Sequence, residues 1–192
     1  MKRIGILGGT FNPIHIGHLA MGQVALERLK LDKVIFVPSC VPPHKTIKNL
    51  ASAQDRLKMV HIATNDNPKF EVSDIEIRRK GRSYSIDTAR YFREHYPKGT
   101  RFYFIVGGDS AEELHAWKDI DELARLVTFV ALNRPGFKST QEKYKCRAIT
   151  MPALEISSSY LRQCFASGGS ALYLLRYHVS EYIKRKKLYG IK

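Results

Sequence analysis

The sequence predicts an α/β protein whose mostly parallel, doubly wound sheet has helices on both faces and a small helical part at its C-terminal end. Two observations support this prediction. Short runs of β-branched and aromatic residues alternate with helical patterns up to residue 132, and the first run leads directly into a pair of glycines. Strands that alternate with helices pair in parallel through right-handed crossovers. Such sheets bind their ligands at the carboxyl ends of the strands.

The individual elements follow from hydrophobic periodicity, taken in chain order. Apolar runs bounded by glycine, proline or polar residues predict strands at 2–8, Val34–Val37, Phe70–Ile77, 101–107 and 127–132. In the first helical pattern, one apolar face is formed by Leu19, Val24, Ala25 and Leu29. Helices are predicted at 17–29, 53–64, 84–95, within 110–125, and in a two-helix tail that begins near 157 and includes 178–187. The Pro-rich segment 38–45 cannot form regular structure, and 136–148 has no readable pattern.

The bulk composition is typical of a soluble globular protein, with 44% hydrophobic and 26% charged residues among 192. We expect a single domain over residues 1–192. No apolar run approaches the roughly 18 residues that a membrane helix needs, and the first residues lack the pattern of a signal peptide. The expected location is the cytoplasm, without a membrane partner.

The spacing of the cysteines and the net charge indicate which kinds of site and partner to expect. Cys40, Cys146 and Cys164 are widely spaced and form no CxxC pair, so neither a disulfide framework nor a zinc site is indicated. The formal net charge of +14 favours anionic partners, which include nucleic acid, membrane surfaces and small polyphosphate ligands. Charge alone does not choose among them.

The most informative segment is GGTFNPIHIGH, from Gly8 to His18. Two glycines at the end of a buried strand let backbone N–H groups approach an anion closely. His15 and His18 are three residues apart at the start of the next helix, which places both imidazoles on one face. The helix N-terminus there also favours negative charge. With Gly17 leaving the approach open, these features together predict a phosphate-binding cradle.

Other interpretations of this segment are a metal pair or two incidental surface histidines. A metal site needs a third ligand, and no nearby Cys, Asp or Glu has a suitable spacing. A GxGxxG fingerprint is absent, so hydride transfer with a dinucleotide cofactor loses its usual support.

GGTFNPIHIGH resembles the signature of the HxGH nucleotidyltransferase superfamily, which has a Rossmann-like fold. A second segment, ISSSYLR from Ile156 to Arg162, resembles the superfamily's ISSTxIR signature. Serine hydroxyls at a helix start cap exposed N–H groups, and Arg162 one turn later can donate a fork of hydrogen bonds to phosphate oxygens. Taken alone, this segment also fits a serine-capped helix with a surface arginine.

Further segments resemble the nicotinate-nucleotide adenylyltransferases within that superfamily. They are PPHK (42–45), SYSIDT (83–88), IVGGDS (105–110), Trp117 with Lys118, NRPG (133–136), and a closing segment similar to LPxxVxxYIxxxxLY. Ser85 stands where this family usually has threonine, and Arg176 where it usually has proline. The hydroxyl is kept at position 85. The change at position 176 implies a local difference in how the last helix begins.

The resemblance implies transfer of the adenylyl group of ATP to nicotinic acid mononucleotide, giving nicotinic acid adenine dinucleotide and pyrophosphate in NAD biosynthesis, with Mg²⁺ bound to ATP. The nearest alternatives are the same chemistry on nicotinamide mononucleotide, which differs by one uncharged amide, or on another phosphorylated acceptor such as phosphopantetheine. A nucleic-acid-binding module is an alternative of a different class, although the dispersed basic residues do not favour it. Whether the chain forms a homo-oligomer stays open.

The resemblance and the residue chemistry together give three sets of candidate residues. Catalysis is assigned to His15, His18, Lys45 and Arg162. ATP binding is assigned to Gly8, Gly9, Thr10, Phe11, His15, His18, Gly107, Asp109, Arg134, Ser158 and Arg162. Binding of the acceptor mononucleotide is assigned to Lys45, Tyr84, Ser85, Trp117 and Lys118. No protein-ligated metal is expected.

Overall fold

A computed structural model describes residues 1–42, 49–133, 144, 146–152 and 154–191 of the chain. Within this described part, a sheet of six parallel strands runs in the order β3-β2-β1-β4-β5-β6. The strands are β1 (Arg3–Gly9), β2 (Lys33–Pro38), β3 (Phe70–Val72), β4 (Arg101–Gly107), β5 (Thr128–Asn133) and β6 (Arg147–Thr150). The predicted α/β class with a doubly wound parallel sheet is confirmed.

The helices connect the strands and form the C-terminal part. They are α1 (Ile16–Arg28), α2 (Ala53–Thr64), α3 (Ile75–Arg79), α4 (Ser85–His95), α5 (Gly108–Glu112), α6 (Ile120–Leu126), α7 (Ser158–Ala166) and α8 (Tyr177–Arg185). Short 3-10 turns occur at Leu114–Ala116 and Leu188–Gly190. None of the helices in the described ranges is long and apolar enough to cross a membrane.

Two hydrophobic cores lie on the two faces of the sheet, because side chains alternate along each strand. In β4, Tyr103 and Ile105 belong to one core, whereas Phe102, Phe104 and Val106 belong to the other. The first core is covered by α1, α2, α7 and α8, and the second by α3, α4, α5 and α6. This arrangement confirms the expectation of helices on both faces.

The predicted strand Phe70–Ile77 is wrong beyond residue 72. Strand β3 ends at Val72, and Ile75–Arg79 forms the short helix α3. Ile75 and Ile77 are both buried, which imitates the alternation of a strand. The helical conformation is supported by Arg78, whose Nε donates to Asp74 Oδ1 at 2.8 Å, a contact of helical spacing.

Strand β6 was missed by the periodicity, and its position explains why. It lies at the edge of the sheet and pairs with β5 from Val130↔Arg147 to Asn133↔Thr150. Of its four residues only Ile149 is buried, so no alternating pattern is visible in the sequence. In the Pro-rich segment 38–45, Pro38 is the last residue of β2, and 39–42 is irregular apart from one bridge between Val41 and Arg82.

Candidate active site

The carboxyl ends of β1 and β4 open a crevice at the point where the strand order reverses. The β1–β4 pairing stops at Ile6↔Phe104. Beyond it, β1 continues beside β2 as far as Gly9↔Pro38, and β4 continues beside β5 as far as Gly107↔Leu132. Because β1 continues beside β2 and β4 continues beside β5, the two central strands separate here and leave an opening between them, as expected for a ligand site in this architecture.

The loop from Gly9 to His15 forms one wall of this crevice. A Cβ on Gly9 would lie 3.0 Å from the Phe11 ring, so only glycine fits without displacing that ring. Phe11 itself has a φ of 47° and is 2% exposed. Its ring meets the His18 ring edge-on at a centroid separation of 5.0 Å. The Phe11 side chain therefore belongs to the core beneath the loop.

The two imidazoles stack on each other at the start of α1. Their centroids are 3.7 Å apart and their planes are inclined by 28°. His15 is the N-cap residue and is buried, whereas His18 is half-buried. The backbone N–H of His15 donates to Nδ1 of His18 at 3.3 Å. The predicted placement of both rings on one face of the helix is what the structure has.

Burial holds both rings in the neutral form. It lowers the pKa of His15 from 6.5 to about 4. The pKa of His18 is well below its ordinary value, first because of burial and second because of the charge that His15 would carry. Since Nδ1 of neutral His18 accepts a hydrogen bond, its proton resides on Nε2, which makes Nε2 a donor.

Gly17 and the helix amides act differently from the sequence-based expectation. A Cβ at position 17 would lie 3.0 Å from His15 Nδ1, so this glycine makes room for the imidazole itself. The N–H of Ile16 donates to the carbonyl of Leu174 at 3.0 Å, and that of His18 to the carbonyl of His15 at 3.0 Å. These two amides are therefore used within the protein.

The second motif lies directly against the first. Nη1 of Arg162 donates to the carbonyl of Asn12 at 2.9 Å, and Oγ of Ser158 donates to the carbonyl of Pro13 at 2.9 Å. Ser157 caps α7, since its hydroxyl accepts from the N–H of Tyr160 at 3.2 Å. The plain capping role and the contact with the first motif are therefore both present. Two segments about 145 residues apart in sequence meet at one wall of the crevice.

Asn12 connects several segments at that wall through its side chain. Its Oδ1 accepts from the hydroxyl of Tyr189 at 2.9 Å and from the N–H of Ala51 at 3.0 Å. Its Nδ2 donates to the carbonyl of Asn49 at 3.2 Å. The side chain is 2% exposed, so these bonds replace water completely. Sequence reasoning quoted Asn12 within the first motif but gave it no role.

Three of the residues predicted for acceptor binding, Tyr84, Ser85 and Lys118, lie at or beside the start of α4. Ser83 Oγ accepts from the N–H of Cys40 at 2.8 Å, which ties this segment to the chain that follows β2. Tyr84 is the N-cap residue of α4, and Nζ of Lys118 lies 4.6 Å from the centroid of its ring. The ammonium is exposed, and Ser85 is half-buried in the first turn.

The Trp117 side chain is only partly buried in the second core. Its ring packs edge-on against Phe104 at 5.8 Å and Phe129 at 6.2 Å, and it stays half-buried. At the end of β4, a Cβ on Gly107 would meet no atom of the described residues within 4 Å. Gly107 is also the N-cap residue of α5, and Asp109 is exposed in the first turn of that helix.

Two candidate residues, Lys45 and Arg134, lie outside the described residues. Among the described residues, no group of three His, Cys, Asp or Glu side chains could hold a metal ion. One buried residue near the crevice was missed by sequence reasoning altogether, namely Arg56 of α2. Its spacing from the buried Met59, Val60 and Ala63 follows the apolar face of that helix, which is the signal that could have found it.

The comparisons with known proteins agree with this geometry. Residues 6–164 match the family described as cytidylyltransferase-like. The probable nicotinate-nucleotide adenylyltransferase of Shouchella clausii is 45% identical over 190 residues, which cover 99% of this chain and 98% of that protein. The chain belongs to the nicotinate-nucleotide adenylyltransferase family. A second relative, the probable nicotinate-nucleotide adenylyltransferase of Lactiplantibacillus plantarum, is 44% identical and covers 98% of this chain and 88% of that protein.

The solved structures extend the family likeness to the fold. The Plasmodium falciparum nicotinic acid mononucleotide adenylyltransferase in complex with NaAD superposes with a TM-score of 0.81 at 22% identity, over 100% of this chain and 99% of that chain. The adenylyltransferase family fold is therefore the fold of this chain.

Proposed function

We propose that the chain transfers the adenylyl group of ATP to nicotinic acid mononucleotide, with release of pyrophosphate. The observation that carries this proposal is the contact of the two motifs. Arg162 and Ser158 of α7 bond to the loop that follows β1, beside the stacked imidazoles. Cationic and neutral donors from both motifs thus converge at the open edge of the sheet, which suits a triphosphate.

The chemistry requires positioning more than proton transfer. A phosphate oxygen of the mononucleotide forms a new bond to the α-phosphorus of ATP, and the bond from that phosphorus to the bridging α–β oxygen breaks. The attacking phosphate is already ionised at neutral pH, so no general base is needed. Catalysis then depends on holding the two reactants in line and on stabilising the negative charge that builds on the phosphoryl oxygens.

His18 is the proposed donor to the α-phosphate. A neutral ring with its proton on Nε2 can donate a hydrogen bond without first losing or gaining a proton. The stacked His15 ring keeps His18 in place and is the second proposed donor. Gly8, Gly9 and Thr10 would contribute backbone N–H groups where β1 ends, and Phe11 would do so through its backbone.

Arg162 and Ser158 are proposed to hold the leaving pyrophosphate. Arg162 uses Nη1 for Asn12 and Nη2 for Ser159 Oγ, at 2.9 and 3.1 Å, which fixes the plane of the guanidinium. Its remaining N–H groups have no hydrogen-bond partner among the described residues, so they can donate to phosphate oxygens. Lys45 is proposed as a further cation for the phosphates, and Arg134 as a contact for the adenine, on the strength of the sequence resemblance.

The acceptor is proposed to bind between the start of α4 and Trp117. The exposed Lys118 ammonium beside the Tyr84 ring supplies positive charge where a nicotinate carboxylate would approach. Ser85 offers a hydroxyl in the first turn of α4, and the half-buried indole offers a face for the pyridine ring. Gly107 and Asp109 would line the nucleotide side, at the end of β4.

Mg²⁺ is proposed to bind with ATP. The ion is proposed to be carried mainly by phosphate oxygens and water, the coordination that Mg²⁺ favours. When bound, the ion neutralises part of the triphosphate charge. The chain's own side chains then orient the phosphates and keep the α-phosphorus accessible.

Pyrophosphate release tests this proposal directly. ATP and Mg²⁺ are incubated with nicotinic acid mononucleotide, nicotinamide mononucleotide or phosphopantetheine, and pyrophosphate is measured. The expected result is turnover with the nicotinate acceptor and little with the others. His18→Ala should lower turnover by about 10²- to 10³-fold, the usual cost of removing a donor used in the transition state. Lys118→Met should weaken discrimination between the two mononucleotides. Equal turnover with all acceptors, or a His18→Ala variant at the normal rate, would reject the proposal.

A further inference from the structure

Arg56 is a buried cation that the reaction described above does not use. It lies in the first turns of α2, is 0% exposed, and heads the fully buried side chains in volume. Within the described ranges, no carboxylate lies at ion-pair distance from its guanidinium. Burial lowers its pKa, yet an arginine side chain stays protonated in proteins. Among the described residues, the Glu76 carboxyl favours this charge only from beyond ion-pair distance. A buried charge without a direct ion pair costs stability, so its presence calls for a reason.

The guanidinium is instead held by three backbone carbonyls from three separate segments. Nη1 donates to Thr10 at 2.8 Å, Nη2 donates to Cys40 at 2.8 Å, and Nε donates to Ala51 at 3.1 Å. The first carbonyl belongs to the loop that follows β1, the second to the chain that follows β2, and the third immediately precedes α2. One planar group therefore sets the spacing of three segments beneath the crevice.

The three segments do not depend on Arg56 equally. The Cys40 peptide is held a second time, because its N–H donates to Ser83 Oγ at 2.8 Å. The Ala51 peptide is also held a second time, because its N–H donates to Asn12 Oδ1 at 3.0 Å. For the Thr10 carbonyl, the described residues provide the bond from Arg56 alone. Loss of Arg56 would therefore free the Thr10 carbonyl first, whereas Asn12 and Pro13 keep their bonds to α7.

We propose that Arg56 is a positioning residue for adenylyl transfer, which fixes the β1 loop through the Thr10 carbonyl and places a buried positive charge beneath the triphosphate. This inference rests on the proposed function, because the β1 loop is the segment assigned to the triphosphate. Arg56 does not touch the reacting atoms. Its action is to keep the loop in register and to add a buried positive charge to the site.

The experiment uses two substitutions and a matched control in the full chain. Arg56→Met removes the charge and all three donors, and Arg56→Lys keeps a charge but loses the planar fork. Thr64→Val is the control, because Thr64 lies in the same helix, is 3% exposed, and its Oγ donates to the carbonyl of Val60 at 2.9 Å away from the crevice. Folded fraction is measured by circular dichroism, and steady-state constants are determined for ATP and for the mononucleotide.

For each folded molecule, Arg56→Met is expected to lose about 10- to 100-fold in kcat/KM for ATP, the scale of a displacement of roughly 1 Å at a reacting group. The KM for the mononucleotide should change little. Arg56→Lys should be intermediate, and Thr64→Val should be destabilised with normal constants. Hydrogen exchange should become faster in residues 9–13 of the Arg56→Lys variant than in the wild type.

The outcomes separate this inference from the proposed function. A wild-type chain that releases no pyrophosphate with nicotinic acid mononucleotide rejects the proposed function itself. An active wild type together with normal ATP constants in both Arg56 variants overturns the positioning role and leaves Arg56 as a structural residue. If Arg56→Met does not fold, Arg56→Lys decides: a wild-type kcat/KM for ATP and unchanged exchange in residues 9–13 overturn the inference.

Discussion

The stacked histidine pair should make the protein sensitive to mild acid. His15 is 7% exposed and, because of burial, has a pKa of about 4 in the folded protein against 6.5 ordinarily. Between these two pH values the unfolded chain binds more protons at this position than the folded chain. The free energy of unfolding therefore falls as the pH falls from 6.5 towards 4. Above pH 6.5 the neutral His15 ring causes no such loss of stability.

The size of the effect follows from the two pKa values. At pH 5, linkage gives a loss of about 2 kcal/mol from His15 alone, since the folded ring is still mostly neutral and an unfolded ring is mostly charged. For a chain of this length, about 2 kcal/mol corresponds to a Tm lower by roughly 4 to 8 °C. His18 adds to the loss in the same direction, because burial lowers its pKa as well.

Calorimetry of the wild type and His15→Gln at pH 7.5 and pH 5 provides the assay. The variant has no titrating ring at position 15, so the difference between its two Tm values should be smaller by roughly 4 to 8 °C. His95→Gln is the control, since His95 is exposed on α4. Equal acid sensitivity in the wild type and in His15→Gln would refute the reasoning.

Three further predictions concern other contacts of the site. Gly17→Ala places a Cβ 3.0 Å from His15 Nδ1, and we expect a folded chain with a lower kcat in the pyrophosphate assay; an unchanged kcat would mean that the imidazole moves freely. Tyr189→Phe removes the hydroxyl that bonds to Asn12 at 2.9 Å. Urea unfolding should therefore give a free energy of unfolding that is lower by about 1 kcal/mol, and an unchanged value would mean that the bond does not stabilise the folded protein. Trp117→Ala should raise the KM for the mononucleotide more than the KM for ATP, whereas equal changes would make the indole a purely structural group.

Much of the fold follows from local patterns, since the central strands are buried on both faces. Strands β1, β2, β4 and β5 are continuous apolar runs, and their helices carry apolar faces, so periodicity locates them. The pattern fails where burial is not periodic. The short helix α3 has buried isoleucines two residues apart, and the edge strand β6 has a single buried residue.

The candidate site, like the fold, could be predicted only in part from the sequence. The residues of the two motifs were predicted because their spacing is local, and the structure confirms that the imidazoles share a face. The bonds that support them are not local. Arg56 and Asn12 act on carbonyls and amides from segments far apart in sequence, and no pattern within one segment indicates that partnership. The assignments of roles to the motif residues stay predictions.

Arg176, where this family usually has proline, shows how one departure is accommodated. Its φ of −64° and ψ of 139° at the N-cap position of α8 are values that proline also adopts. Its side chain pairs with Asp66 at the surface. The backbone at this position is therefore compatible with either residue, and the arginine side chain adds an exposed ion pair, which is worth little for stability.

The bond between Tyr189 and Asn12 joins residues 177 positions apart. During synthesis, the loop after the first strand leaves the ribosome long before Tyr189 does, so this wall of the crevice stays incomplete until that residue has been added. A chain that stops just ahead of residue 189 would therefore lack the hydroxyl that bonds to the Asn12 side chain.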